Sequence, residues 1–353
     1  MGKKDRKTKK TRGEQSEAAD QTQQPDERTD KKNILERFTA RKLAVSIILF
    51  IVSVSVFIPS YHDGLVWDDA LNLKKSLPIL NASFLRLEDF VPGIGSADPR
   101  HKYFRPVYNA SLIIDNIVWD GSWRGFHLSS IIYHGLATVL LYMLALMLLG
   151  EFRLKRKHTV ACVASFFFAV YPLHVESVSF IAARGDILAA FFFFLCFIFY
   201  IRSYERVLYL IPAAICFYLS FLSKEVALAF PIVLVGYDLT SAKIKERVNI
   251  LKYSVLGLLV VLYFLTRSSS FFGGEPLFNP EYFTHTDTAG RILESIGLFF
   301  NAYLFYFLKL IFPYDLNPFI EANPLSGSLS TVIAVIVTIG VCAAFVISIR
   351  KKE

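Results

Sequence analysis

The sequence predicts an all-α membrane protein, a polytopic bundle of about eight or nine transmembrane helices. Of the 353 residues 54% are hydrophobic and 33 are Phe, and the mean hydropathy is +0.44. These values are too high for an ordinary water-soluble domain. The apolar residues are concentrated in nine stretches, at 43–60, 127–149, 159–173, 187–201, 207–222, 226–239, 250–266, 291–312 and 330–349.

Residues 1–42 form a separate, polar segment. They are rich in Lys, Gln, Asp and Thr and hold few apolar residues, so we predict a disordered basic cytoplasmic tail before a membrane domain at 43–353. A basic tail is also typical of a nucleic-acid-binding arm. Basic residues directly before an apolar span more often fix topology and contact anionic headgroups. We therefore expect membrane lipid, and no nucleic acid, as a partner.

The first apolar stretch, 43–60, is the first candidate span. It is long enough to cross a bilayer and no small-residue cleavage pattern follows it, so we interpret it as a retained helix and not a signal peptide. Lys and Arg accumulate in cytoplasmic loops, which orients the whole set with the N-terminus inside. The basic segments are 31–42, 153–158, 202–206, 243–247 and 350–352. The opposite side then receives a long first outer loop, 61–126.

The stretch 291–312 differs from the other eight. Cytoplasmic segments at both ends of the domain require an even number of spans, so one of nine candidates does not cross. This stretch carries Arg291, Glu294, Asn301 and Lys309 among aromatic residues. We therefore expect an amphipathic helix lying along the outer interface, inside an outer loop at 267–328.

Unusual polar residues are concentrated on the predicted outer side. An ionised side chain at mid-bilayer costs at least ~2.5–3.5 kcal/mol, so such residues tend to be functional. The cytoplasmic loops hold ordinary Lys and Arg, whereas the outer segments hold charges wedged against apolar stretches. These segments are "GLVWDDALNL" (64–73), "YFRPVYNASLIIDN" (103–116), "HVESVSFIAARGD" (174–186) and "LSKE" (222–225).

Two histidines lie on one face of the second apolar stretch. His127 and His134 align with Ser130 and Thr138 at helical spacing. Such a face is typical of a hydrogen-bonded helix interface as well as of a binding site. The sequence leaves both interpretations open for His134, and the outer position of His127 favours a site.

Charges alternate in sign in the next outer segment. Glu176, Arg184 and Asp186 interrupt an otherwise apolar stretch, which favours an acidic and basic pocket over a solvated turn. Lys224 and Glu225 break a long apolar block, where they fit either a helical hairpin tip or a site.

Several of these motifs together resemble a known family. An acidic pair after the first span, "YFRPV", "FHLSSIIYHGLATVLLY", "AVYPLHVESVSFIAARGDILAAFFF" and "LSKEVALAFPIVLVGYDL" are similar to the membrane half of transmembrane and tetratricopeptide-repeat O-mannosyltransferases and their bacterial relatives. These are C-type glycosyltransferases, and the similarity covers residues 43 to about 320. The repeats and last spans typical of such enzymes are missing, so we expect either a short homologue or a fragment.

The resemblance implies the reaction. A sugar, with mannose as the candidate, passes from a polyprenyl-phosphate carrier to a hydroxyl on a protein or glycan acceptor at the outer or luminal face. Direct attack by the hydroxyl inverts the anomeric carbon. Whether a divalent cation takes part stays open, because acidic residues could bind one but no set of ligands in the sequence requires it. A catalytically silent scaffold and a transporter remain alternatives. For location, we favour a bacterial inner membrane over the endoplasmic reticulum.

The resemblance also implies residue roles. In the resembling enzymes the first residue of the acidic pair after span one is catalytic, so Asp68 is the expected base and Asp69 would position the acceptor or a cation. Arg105, Arg184 and Lys224 are the expected ligands of the donor phosphate. The pocket residues that would orient this cluster are His127, His134, His174, Glu176, Asp186 and Glu225.

Overall fold

The computed structural model describes residues 27–67, 69, 105–151, 154–241, 243, 246, 248–271, 288–314 and 328–350. Within these ranges it contains eleven α-helices and no strand, which confirms the predicted all-α class. Each of the nine apolar stretches contains a helix. The helices are α1 (Glu27–Phe57), α2 (Pro106–Trp119), α3 (Trp123–Glu151), α4 (Lys157–Val170), α5 (His174–Ser179), α6 (Arg184–Arg202), α7 (Leu210–Ser223), α8 (Phe230–Thr240), α9 (Val248–Phe271), α10 (Thr288–Ile311) and α11 (Ser328–Arg350).

Several helices have the length and apolarity needed to cross a membrane. Among the described residues, four helical segments meet both requirements: Ala40–His62, Trp123–Glu151, Ile181–Arg202 and Val248–Leu265. Shorter apolar helices accompany them at Lys157–Val170, Val207–Ser223, Ser295–Ile311 and Leu329–Val341. The chain is therefore a membrane-embedded helix bundle.

The predicted tail and the predicted first outer loop both contain helix. Helix α1 begins at Glu27, so the predicted disordered tail ends too late, because good helix formers such as Glu, Arg and Lys extend the span towards the N-terminus. The first outer loop contains α2, which begins at Pro106, where the fixed φ of proline suits a first helical turn. Residues 1–26 of the tail and 70–104 of the loop lie outside the described residues.

The core centres on α6. The chain divides into two compact units, 1–48 and 49–353; the described part of the first is helical, and the core lies in the second. There α6 packs along α7 and α3, while α9 packs against α7. Phe193 and Phe197 of α6 and Phe217 and Phe221 of α7 are buried together. Dispersion contacts between such rings hold helices together where lipid replaces water.

A polar network joins α6, α8 and α9 at the end that we predict to be cytoplasmic. Asp238 is buried and accepts hydrogen bonds from the hydroxyls of Tyr200 (2.5 Å), Tyr204 (2.5 Å) and Tyr253 (2.7 Å). The ammonium group of Lys252, also buried, lies 2.9 Å from the centre of the Tyr204 ring. A negative and a positive side chain thus share one enclosed network, which fixes the cytoplasmic end of the bundle.

We predict that Asp238→Asn destabilises the fold much more than Tyr253→Phe. An amide offers one acceptor oxygen to three hydroxyl donors and removes the negative charge that acts most strongly on Lys252, a change worth about 3 kcal/mol or more. Tyr253→Phe removes one hydrogen bond, worth about 1 kcal/mol. Thermal unfolding in detergent, followed by a thiol-reactive dye that reports exposure of the buried Cys196, compares the two. Equal unfolding midpoints would show that Asp238 does not organise the network.

Candidate functional site

The four outer segments singled out in the sequence contact one another. The segment after α1 touches the segment before α6, α2 touches the start of α6, and the residues after α7 touch both α6 and the start of α2. The pairs that make these contacts are Asp69 with Ala182, Asp115 with Arg184, Lys224 with Asp186, and Arg105 with Glu225. Residues spread over more than 150 positions therefore form one cluster.

Arg184 is the buried centre of the cluster. Its guanidinium Nη1 lies 2.5 Å from a carboxylate oxygen of Asp115. Its Nη2 donates a hydrogen bond to the Phe126 carbonyl (2.6 Å), and its Nε donates to the Ser130 hydroxyl (2.9 Å). A buried charge is tolerated when it is both paired and hydrogen-bonded, as here. Arg184 thus joins α6 to α2 and α3, and its guanidinium is engaged by the protein.

Asp115 is a residue of the cluster that the sequence analysis missed. Its second oxygen accepts a hydrogen bond from the Ser129 hydroxyl (2.6 Å), which in turn accepts one from the Trp119 indole nitrogen (3.0 Å). The available signal was a carboxylate inside the apolar run "SLIIDNIVW", where an ionised group is costly. Nothing in the sequence identified Arg184 as its partner.

Asp69 fastens the segment after α1 to the segment before α6. It is fully buried, and its oxygens accept hydrogen bonds from the backbone N–H groups of Ala182 (2.7 Å) and Val66 (3.3 Å). Burial raises the pKa of the Asp69 carboxyl, and these N–H groups oppose that rise. Such an arrangement suits a structural anchor better than a ligand of the acceptor. Asp68, the expected base, lies outside the described residues.

Trp67 adopts an unusual backbone conformation next to this anchor. Its φ is 45°, in the left-handed region that bulky residues rarely enter. Its ring meets that of Phe180 edge to face, with 6.0 Å between the centroids. A strained residue beside a fixed carboxylate indicates that tertiary contacts determine the conformation of this turn.

His127 is buried beside the same turn. Its ring faces the backbone of Gly64 and Ser179, and within the described residues neither ring nitrogen makes a hydrogen bond of normal geometry. Asp63 and Arg184 are close enough to act on it electrostatically. His127 thus lies beside the turn that precedes Asp69, and its pocket role stays a prediction.

His134 and His174 pack against each other farther from Asp69. Their ring centroids are 5.0 Å apart, and His134 Nε2 lies 3.3 Å from the Ala169 carbonyl. Burial lowers the pKa of His174 to about 4, so this residue is neutral at pH 7. This geometry favours the helix-interface interpretation for His134.

Glu176 is exposed on α5 and makes no ion pair within the described residues.

Two partly exposed ion pairs flank the buried one. Lys224 Nζ lies 2.5 Å from Asp186, and Arg105 Nη2 lies 2.8 Å from Glu225. Their side chains keep between 18% and 34% of their exposure, whereas that of Arg184 has none. A Cβ on Gly185 would lie 2.9 Å from the Ser223 carbonyl oxygen, so glycine allows α6 to start this close to Lys224. The site therefore presents two cations that a ligand can reach.

No metal centre is visible in the part of the chain that the structure describes. Within those ranges, no three His, Cys, Asp or Glu side chains converge to hold a metal ion.

Comparison with known proteins identifies the relatives. A protein O-mannosyl-transferase of Caenorhabditis elegans is 28% identical over 171 residues, which cover 47% of this chain and 24% of the relative. The chain is similar to protein O-mannosyl-transferases. Human protein O-mannosyl-transferase TMTC4 is 28% identical over 196 residues (50% of this chain, 26% of the relative), and mouse TMTC1 is 33% identical over 115 residues (32% and 12%). The resemblance inferred from the motifs is confirmed.

The match covers only a part of each relative. The matched region spans about a quarter, or less, of the length of each of the three. All three are animal proteins, so they do not support our preference for a bacterial inner membrane, which rested on the lack of a retention signal and the brevity of the chain. No protein-family model matches the chain, and no solved structure matches it.

We predict strong energetic coupling between Arg184 and Asp115. Either Arg184→Met or Asp115→Leu alone leaves an uncompensated buried charge, which costs about 3–5 kcal/mol. The double variant removes both charges and should therefore cost clearly less than the sum of the two single variants. Unfolding midpoints in detergent for all four proteins measure the coupling, with the exposed Glu176→Gln as a control expected to match the wild type. Additive costs would show that the pair does not act as a unit.

Proposed function

We propose that the chain is a membrane glycosyltransferase that passes a sugar, with mannose as the candidate, from a polyprenyl-phosphate carrier to a hydroxyl group of a protein at the outer or luminal face. One observation carries this proposal: Lys224 and Arg105, which a ligand can reach, belong to the same cluster as the turn that contains Asp69. Asp69 contacts Ala182 and Lys224 contacts Asp186, four residues farther along the same segment. The names of the animal relatives support transfer to protein.

The chemistry needs a base and a cationic site for the leaving group. Asp68 takes the proton of the acceptor hydroxyl, and its neighbour Asp69 holds the backbone at that point. The hydroxyl oxygen attacks the anomeric carbon, and the bond from that carbon to the phosphate oxygen breaks. Polyprenyl phosphate leaves with the electron pair. Because the attack is direct, the configuration at the anomeric carbon inverts.

Arg105 and Lys224 are our candidates for binding the phosphate. Both are partly exposed, and an arginine can grip two phosphate oxygens at once. Arg184 does not share this role, contrary to the expectation from the sequence, because its buried guanidinium is bound by protein atoms. The positive charge of Arg184 still affects the site, because it is paired with Asp115 and opposes the rise in the pKa of the nearby Asp69.

We also propose that α10 lies along the outer interface. It is a single helix of 24 residues with exposed apolar residues such as Phe299 and Tyr306. Its Asn301 is buried and accepts a hydrogen bond from Ser330 of α11 (2.8 Å). A helix that is apolar on one face and held by a polar contact on another suits an interfacial position.

We predict that Asp68→Asn abolishes most sugar transfer without unfolding the protein. Loss of a general base typically lowers kcat by about 10²–10⁴-fold. The assay uses purified protein, labelled polyprenyl-phosphate mannose and an acceptor peptide that contains Ser and Thr. The matched control is Asp120→Asn, an exposed residue of the same loop in a left-handed conformation that Asn also adopts readily.

Two outcomes would contradict this proposal. Equal rates for Asp68→Asn and the wild type would remove Asp68 from the mechanism. A folded wild type that transfers no sugar would favour the scaffold or the transporter.

A further inference from the structure

We propose that Asp186 and Glu225 are resident counterions: they neutralise Lys224 and Arg105 and give way when the phosphate of the lipid carrier binds. This inference rests on the proposed function, because it assigns the two cations to that phosphate. It adds a competition between protein carboxylates and ligand phosphate for the same two side chains. The consequence is that these carboxylates weaken phosphate binding and hasten release of polyprenyl phosphate.

The geometry of the two pairs is suited to exchange. Lys224 Nζ lies 2.5 Å from Asp186, and Arg105 reaches Glu225 Oε2 through Nη2 (2.8 Å) and Nε (3.1 Å). All four side chains retain some contact with solvent. Ion pairs of this kind contribute little net stability, because water compensates each partner when the pair opens. A phosphate offers more oxygens than a carboxylate and carries at least the same charge, so it can replace a carboxylate on these cations.

The buried pair in the same cluster shows the contrast. Arg184 and Asp115 have almost no exposure, and Arg184 is bound by Ser130 and the Phe126 carbonyl as well. Opening that pair would leave a bare charge in the protein interior, which is very unfavourable. The cluster therefore combines one pair that cannot exchange with two pairs that can.

The positions of Lys224 and Glu225 couple the two exchanges. They are neighbours in sequence, and Lys224 has extended backbone angles (φ −160°, ψ 149°) between α7 and the turn at Glu225–Ala229. Lys224 reaches Asp186 at the start of α6, and Glu225 reaches Arg105 before α2. A phosphate that binds Lys224 and Arg105 together would release both carboxylates.

The product is the ligand that this competition affects most. The donor is a phosphodiester with one negative charge, whereas the released polyprenyl phosphate is a monoester that carries between one and two at pH 7. The two cations consequently bind the product more strongly than the donor. Carboxylates that return to the cations oppose this product binding, which favours turnover.

The test measures binding of a short-chain polyprenyl monophosphate to the purified full chain in detergent. Asp186→Asn and Glu225→Gln should each lower the Kd about three- to fivefold, because each frees a cation from a partly exposed ion pair. Lys224→Met and Arg105→Met should raise the Kd about tenfold or more, through loss of a charged hydrogen bond. The matched control is Asp120→Asn, which removes the same charge from an exposed residue at the end of α2, outside these pairs, and should leave the Kd unchanged.

Further measurements separate charge competition from misfolding and from binding of inorganic phosphate. The charge-retaining variants Asp186→Glu and Glu225→Asp should bind with a Kd near that of the wild type, which distinguishes charge competition from misfolding. Inorganic phosphate is titrated in parallel, and binding as tight as that of the lipid would overturn the assignment to a lipid headgroup. An unchanged or raised Kd for both Asp186→Asn and Glu225→Gln would overturn the resident-counterion proposal even if sugar transfer is normal. The expected Kd changes without any sugar transfer would instead contradict the proposed function alone.

Discussion

The buried ion pair between Arg184 and Asp115 is the interaction on which the predicted outer end of this bundle depends. It holds the start of α6 against α2 and α3 in an environment where an unmatched charge would be prohibitive. Ala182, two residues before Arg184, donates its N–H to Asp69. The turn that carries the acidic pair is therefore positioned through α6, and α6 is positioned through the ion pair.

Much of the fold could be predicted because a membrane leaves the backbone few alternatives. Apolar stretches at this density form helices, since no water is present to satisfy other conformations. Charge distribution also placed the four polar segments on one side, and those segments do contact one another. Partners were harder to predict. Arg184 and Lys224 both lie beside apolar stretches, so the sequence does not distinguish them. Arg184 is a buried anchor because it pairs with Asp115, which lies 69 residues earlier in the chain, whereas Lys224 remains partly exposed.

The two ends of the bundle use carboxylates differently. At the predicted cytoplasmic end, Asp238 accepts three tyrosine hydroxyls inside an enclosed network that ties α6, α8 and α9 together. At the outer end, Asp186 and Glu225 pair with cations that water still reaches. An enclosed network at one end and exchangeable ion pairs at the other fit our proposal that a charged lipid enters and leaves at the site.

Hydrogen exchange at the amides of Val66 and Ala182 tests most directly whether the buried pair positions the acidic turn. Both amides donate to Asp69, and neither touches Asp115. In Asp115→Asn, exchange at these two positions should accelerate strongly relative to the wild type, while amides of α8 and α9 keep their protection because the Asp238 network is intact. Unchanged exchange at Val66 and Ala182 in the folded variant would show that the turn is held independently of the ion pair and would contradict this account.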